Sequence, residues 1–355
     1  MYPFWNAAFF ATLITALPLL VDSAPSDGLV VRKEWRSLTT VEKSSYIDAV
    51  KCMLRKPPLT SKSVLPGVQN RFEDFLGDHI QQANLTHFVS SFEGHFYPFH
   101  RLLLWAYERE IRACGFDGGQ PYWDWSLDAN STEDFLNSEM WDPDTGFGGN
   151  GAYIAGTQDD PAPGVPVTAA SFPFNLSDHT GGGCIPDGPF ANMTIHMGPG
   201  PSTEFNEWCV RRDFVPSQFL LSANSTSVAA AMDQPDFGWF SQQSEMTTHN
   251  AGHVGIGGVY GVLTDVWASP GDPLFFLHHA NIDRLWWSWQ SKNLSTRLTD
   301  ISGPVVPQDW SNKSGGNVTL DFEVHVGAAG NLTRRIRDLM DIRQPTLGYV
   351  YESLY

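Results

Sequence analysis

At 355 residues and 42% apolar, with 13 Trp, 23 Phe and 10 Tyr, the chain is long enough to bury a sizeable core in one large domain or two ordinary ones. Its formal charge of −17, from 39 acidic against 22 basic residues, repels phosphate. That argues against nucleic acid and anionic membrane as partners and favours a soluble protein acting on small neutral or cationic molecules.

The stretch from about Phe4 to Leu20 is apolar and uncharged, and Ser23, Ala24 and Pro25 follow it. It reads as a secretory signal peptide over residues 1–24, ahead of a single domain over 25–355. No Lys or Arg precedes the run, and an uncleaved anchor is the alternative, although the run is short for a span of about 20 residues. Nine Asn-x-Ser/Thr sequons, at Asn84, Asn130, Asn175, Asn192, Asn224, Asn293, Asn312, Asn317 and Asn331, agree with secretion. So does an even cysteine count: the four cysteines allow three pairings, of which Cys52–Cys114 with Cys184–Cys209 joins neighbours in chain order. Helical spacing of apolar residues runs over 34–56, with Thr39 or Thr40 as the N-cap. Further helices are predicted over 70–83 and 100–113, where Leu103, Tyr107 and Ile111 line one stripe. Residues 142–190 are dense in Gly and Pro and read as loop. Helix returns over 242–253 and 274–291, and the tail from about 300 to 345 alternates toward short strands. The expected fold is mainly α, a helical bundle with a long irregular insertion between its halves and a few short strands.

Eight of the eleven histidines fall in two stretches. His79, His87, His95 and His100 lie in GDHIQQANLTHFVSSFEGHFYPFHRLLLWAYERE. His249 and His253 lie in THNAGHVG, and His278 and His279 follow in DPLFFLHHANIDRLWWSWQ. Neutral imidazole suits copper, zinc, iron and nickel, so two matching clusters suggest two metal ions facing one another across a bundle. His249 and His253, at i and i+4, share one helix face. His279 completes that triplet from an antiparallel helix. Adjacent helical residues point about 100° apart, so His278 cannot face the same ion and packs or hydrogen-bonds behind it. In the first cluster His100 opens a helix after Pro98, and four candidates compete for three places. His179, His196 and His325 read as ordinary surface or loop histidines, and Pro121–Trp125 (PYWDW) reads as core.

The HNxxH pattern followed by DPLFFLHHANIDRLWWSWQ resembles the second copper-binding region of the tyrosinase/catechol oxidase family. HFYPFHRLLLWAYERE with CGFDGGQPYWDWS resembles the first copper region of its short secreted fungal members, and the likeness runs from about Trp35 to Tyr351. The resemblance implies a type 3 centre: two copper ions, three histidines on each, and dioxygen as co-substrate. Carried over residue by residue, copper A takes His79, His87 and His100, and copper B takes His249, His253 and His279. The family usually spaces the second and third copper A ligands by nine positions, whereas Ser91 stands at that place here. Either SSFE is an insertion, which the flanking matches favour, or His95 substitutes for His87. Phe275 matches an aromatic over the copper B entrance. Glu245 and Asn250 match positions that hold a water deprotonating phenols, with a plain exposed helix carboxylate the alternative for Glu245. Gly77 and Leu85 stand two residues before His79 and His87, where many fungal members carry a cysteine, so no thioether forms. Asp283 orients a ligand imidazole or a partner arginine, or makes a plain salt bridge. Tyr349-Val350-Tyr351 resembles the element that closes the catalytic domain, with no shielding domain expected after it. The implied function is copper-dependent ortho-hydroxylation of monophenols, oxidation of catechols to ortho-quinones, or both. Alternatives are a catechol or ortho-aminophenol oxidase without hydroxylase activity, a tailoring oxidase of a phenolic or tyrosyl metabolite, and, less favoured, a dioxygen carrier.

Overall fold

Thr39 starts the first helix. Its hydroxyl accepts from Glu42 N–H while the Glu42 carboxylate accepts from Thr39 N–H, a reciprocal cap that sets α1 at Thr40–Arg55. The computed structural model describes residues 28–86, 93–169, 175–307, 309, 311 and 313–355, so the proposed signal segment lies outside the described residues. Helices α2 (Arg71–Thr86) and α3 (Phe96–Ala113) follow. The third begins four residues before the expected start, because Pro98 sits in its first turn, where a missing N–H breaks no helical bond. His100 is therefore inside the helix rather than at its opening.

After α4 (Thr132–Leu136) the described part of 142–190 is irregular, as expected. Helices α5 (Pro216–Ser222), α6 (Ser225–Met232) and α7 (Phe237–Ser244) then lead into a π-helical turn, Glu245–His249, and α8 (Asn250–Gly257). The predicted single helix over 242–253 is thus three pieces. Ser244, Thr247 and Thr248 turn their hydroxyls back onto the carbonyls of Phe240, Gln243 and Ser244, which loosens the regular ladder at the turn. Helix α9 (Leu274–Ser291) matches its predicted bounds and is buried along almost its whole length; α10 (Leu294–Arg297) is a single turn.

The strands are short: β1 (Val30–Arg32), β2 (Thr194–Ile195), β3 (Trp208–Cys209), β4 (Glu323–Val326), β5 (Leu332–Arg335) and β6 (Tyr349–Tyr351). β1 pairs parallel with β6, while β2–β3 and β4–β5 are antiparallel. The main core packs α1, α2, α3 and α9 together. A small satellite core of Ala169, Leu176, Val215, Val254, Val259 and Tyr260 lies under the long irregular segment, against α8. Both expected disulfides are present, Cys52–Cys114 and Cys184–Cys209.

A buried ionic knot joins α3 and α9, two of the histidine-bearing helices. Asp283 on α9 accepts from Arg101 Nε of α3 at 2.5 Å, from Arg32 Nη1 of β1 at 3.3 Å, and from the Tyr349 and Tyr351 hydroxyls of β6 at 2.5 and 2.6 Å. Of the three roles open to Asp283, the structure shows the arginine partnership. Among the described residues no helix is long and apolar enough to cross a membrane.

Candidate metal centre

Five of the six predicted ligands converge at the meeting point of α2, α3, α8 and α9; His87 lies outside the described residues. His79 comes from α2, His100 from α3, His249 from the π turn, His253 from α8 and His279 from α9. The His79 and His100 rings are 5.7 Å apart, and His100 stacks on His279 at 4.2 Å, so the two clusters share one wall. The donor atoms of His249, His253, His278 and His279 all lie within 4.8 Å of one another.

Hydrogen bonds dictate which nitrogen carries the proton in three of these rings. His79 Nδ1 lies 2.7 Å from the Trp267 carbonyl, His100 Nδ1 2.9 Å from the Phe96 carbonyl, and His253 Nδ1 2.6 Å from the Leu263 carbonyl. A carbonyl only accepts, so each Nδ1 carries the proton and each Nε2 keeps a lone pair. Burial keeps the rings neutral: it pushes His79 down to about 3 and His253 to about 4, and holds His100 and His279 well below the ordinary histidine value. His253 Nε2 stands 3.1 Å from His279 Nε2. Two imidazole nitrogens bound to one ion at about 2.0–2.1 Å are about 2.9–3.4 Å apart, so this pair fits a shared metal.

His95 behaves otherwise. Its Nε2 donates to the Val305 carbonyl at 3.1 Å and its ring stacks on Phe322 at 5.1 Å, so it is tied to the loop after α10. Phe275 is fully buried, 4.1 Å from the His279 ring and 5.2 Å from His79. His249 is half-buried, as are Met246, Thr247 and Asn250 beside it.

Glu245 is buried, against the exposed alternative, and accepts from the Ser241 hydroxyl. Burial first, and the nearby Glu93 carboxylate second, raise its pKa well above the usual carboxylate range. The Asn250 side-chain amide donates to Met246 Sδ at 3.9 Å, and its backbone N–H donates to the Glu245 carbonyl. His179, expected as an ordinary surface or loop histidine, lies in a loop but is buried between Asp213 Oδ1 at 2.8 Å and the Gly156 carbonyl at 3.0 Å. Its sequence neighbourhood, Gly- and Pro-rich, hides that role. Glu93 escapes sequence reasoning too, since nothing in FEGHFYPF separates it from an ordinary loop carboxylate. The backbone carbonyls of Phe96, Leu263 and Trp267 carry no side-chain signal at all.

A helical bundle that aims neutral imidazoles from four helices at one point is a histidine-ligated metal protein. Residues 69–292 match the family described as the common central domain of tyrosinase. The chain is 34% identical over 338 residues to the tyrosinase-like protein phomQ1 of Diaporthe leptostromiformis, covering 91% of this chain and 77% of the relative. It is 31% identical to N-acetyl-6-hydroxytryptophan oxidase ivoB of Emericella nidulans, across 98% and 99% of the two chains. A polyphenol oxidase from Thermothelomyces thermophila, solved as a point mutant, superposes with a TM-score of 0.80 at 32% identity, across 93% of this chain and 90% of that one. This chain belongs to the tyrosinase family and is a type 3 copper oxidoreductase.

Proposed function

We propose that the protein binds two copper ions and oxidises phenols with dioxygen, hydroxylating monophenols at the ortho carbon, oxidising catechols to ortho-quinones, or both. His79, His87 and His100 hold copper A, and His249, His253 and His279 hold copper B. The observation that carries this is the convergence of His79, His100, His249, His253 and His279, with the Nδ1 of His79, His100 and His253 each held on a backbone carbonyl. When bound, copper supplies the redox chemistry with dioxygen.

The chain's own residues position, screen and move protons. Phe275 packs against the imidazoles and keeps water from the inner side of the centre. The half-buried side at His249, Asn250 and Met246 admits the aromatic ring. A monophenol, with a pKa of about 10, must lose its proton to react, and a base is most effective when its own pKa lies near the working pH. Glu245, raised by burial and by Glu93, is suited to take that proton through a water held with Asn250. The single catalytic domain spans 25–355, after a signal peptide that directs the protein out of the cell. The exposed sequons at Asn130, Asn175, Asn192, Asn293, Asn317 and Asn331 are the glycosylation candidates. A narrower role, oxidation of one hydroxylated aromatic metabolite, is supported by the end-to-end match to N-acetyl-6-hydroxytryptophan oxidase.

The test is copper analysis and a panel of monophenols, catechols, aminophenols and hydroxyindoles under air. Two coppers per chain and turnover of at least one class are expected; one copper, or no turnover of any class, would overturn the proposal. Glu245→Gln should lower monophenol hydroxylation by about 10²-fold or more while sparing catechol oxidation. Equal losses would return Glu245 to a structural role.

A further inference from the structure

Distance does not explain why His279 rather than His278 serves as the copper B ligand proposed above, because both have donor atoms within 4.8 Å of His249 and His253. Hydrogen-bond polarity does. The indole Nε1–H of Trp125 donates to His278 Nδ1 at 3.1 Å. An indole N–H only donates, so His278 Nδ1 must present its lone pair to Trp125 and the ring proton must sit on Nε2. That is the reverse of His79, His100 and His253, whose Nδ1 atoms face carbonyls. With one lone pair engaged and the other nitrogen protonated, His278 has nothing to offer a metal.

The lock is built on rigid parts. Trp125 and His278 are fully buried. Asp124, beside Trp125, pairs with Arg284 Nη1 of α9 at 2.9 Å and caps the short turn Trp125–Leu127, which fixes the indole against the helix that carries His278. Helix α8 also closes on the ring: a Cβ at Gly252 would lie 2.2 Å from His278 Cε1 and 2.3 Å from its Nδ1. The Trp125 hydrogen bond thus holds the ring in a site that α8 crowds.

We infer that Trp125 is a positioning residue that selects the copper B ligand, holding His278 in the tautomer that cannot bind metal and leaving the third place to His279. The inference rests on the ligand set proposed above. Pro121–Trp125, which reads from sequence as plain core, acquires a role at the centre.

Imidazole ¹⁵N spectra of copper-free, ¹⁵N-histidine-labelled protein test the tautomer without metal and without a variant. His278 is expected with a bare Nδ1 and a protonated Nε2, and with the opposite polarity from His253. A protonated Nδ1 at His278 would overturn the inference even if two coppers bind. Trp125→Phe removes the donor and frees His278 as a fourth nitrogen. Copper release to a chelator is then expected to slow by about 10-fold or more, the scale on which partners behind a ligand act. Trp125→Phe combined with His278→Phe should return it to the wild-type rate. Release unchanged or faster in the single variant, with the His278 tautomer unaltered, would refute the selection role. Failure of the wild-type protein to bind two coppers, with the His278 tautomer as expected, would instead count against the ligand set.

Discussion

One backbone carbonyl decides the chemistry of His95. His95 spends Nε2 on the Val305 carbonyl and stacks on Phe322, away from the converging rings. His95→Ala should therefore keep two coppers per chain by metal analysis, whereas His87→Ala should leave about one; the reverse result would make His95 the ligand. Neutrality of the buried imidazoles also has a stability consequence. Burial pushes His79 to about 3 and His253 and His95 to about 4, below an unfolded value of about 6.5. Between pH 6.5 and 4 the unfolded chain binds protons that the folded one refuses. Stability is thus complete above about pH 6.5 and falls as pH drops, by up to about 1.4 kcal/mol per pH unit for each ring. Melting temperatures of copper-free protein should fall from pH 7 to pH 5, and a flat profile would contradict the assigned burial.

At the scale of elements, the π turn Glu245–His249 and the glycines of α8 let three helices meet closely enough to share an ion. The turn places Ser241, Glu245 and His249 in succession, so that the buried carboxyl precedes the ligand by one turn. Gly252 is the point at which α8 approaches α9. A side chain there cannot be accommodated by rotation alone, because its neighbour is a ring held by Trp125 rather than a flexible tail. Gly252→Ala should cost about 1–3 kcal/mol, the usual range for overpacking, with helical circular dichroism retained. Copper content should fall toward one per chain as His253 moves off His279; full loading at wild-type stability would refute the contact.

For the whole molecule, the Asp283 knot couples both ends of the described chain to the centre. It ties β1 and β6 to α3 and α9, the helices that carry His100 and His279. Asp283→Ala would leave Arg101 and Arg32 buried without their shared carboxylate. Removing one partner of a buried ion pair typically costs about 3–5 kcal/mol. Denaturant unfolding should show a loss of that order, with copper affinity reduced in parallel, since α3 and α9 lose their common anchor. Retained stability would mean that Glu108, which also pairs with Arg32 at 2.8 Å, suffices alone.

Local spacing along the chain determined the helices, the cysteine pairing that was favoured, and the ligand candidates, because those signals are periodic or covalent. The i,i+4 pair His249–His253 and the bounds of α9 are examples, as is the Thr39 cap, where a glutamate three residues on completes the motif. Tertiary structure alone decided everything that depends on which atom meets which across the chain. Phe275 is buried against the rings of His79, His100 and His279, which α2, α3 and α9 bring to it. Asp283 binds arginines because β1 and α3 bring them to it. His179 is buried because Asp213, distant in sequence, folds back onto it. The proton of each imidazole is set by a partner up to 188 residues away, a carbonyl for His79 and an indole for His278. Sequence names the imidazoles, but only packing chooses which nitrogen of His79, His100, His253 and His278 carries the proton.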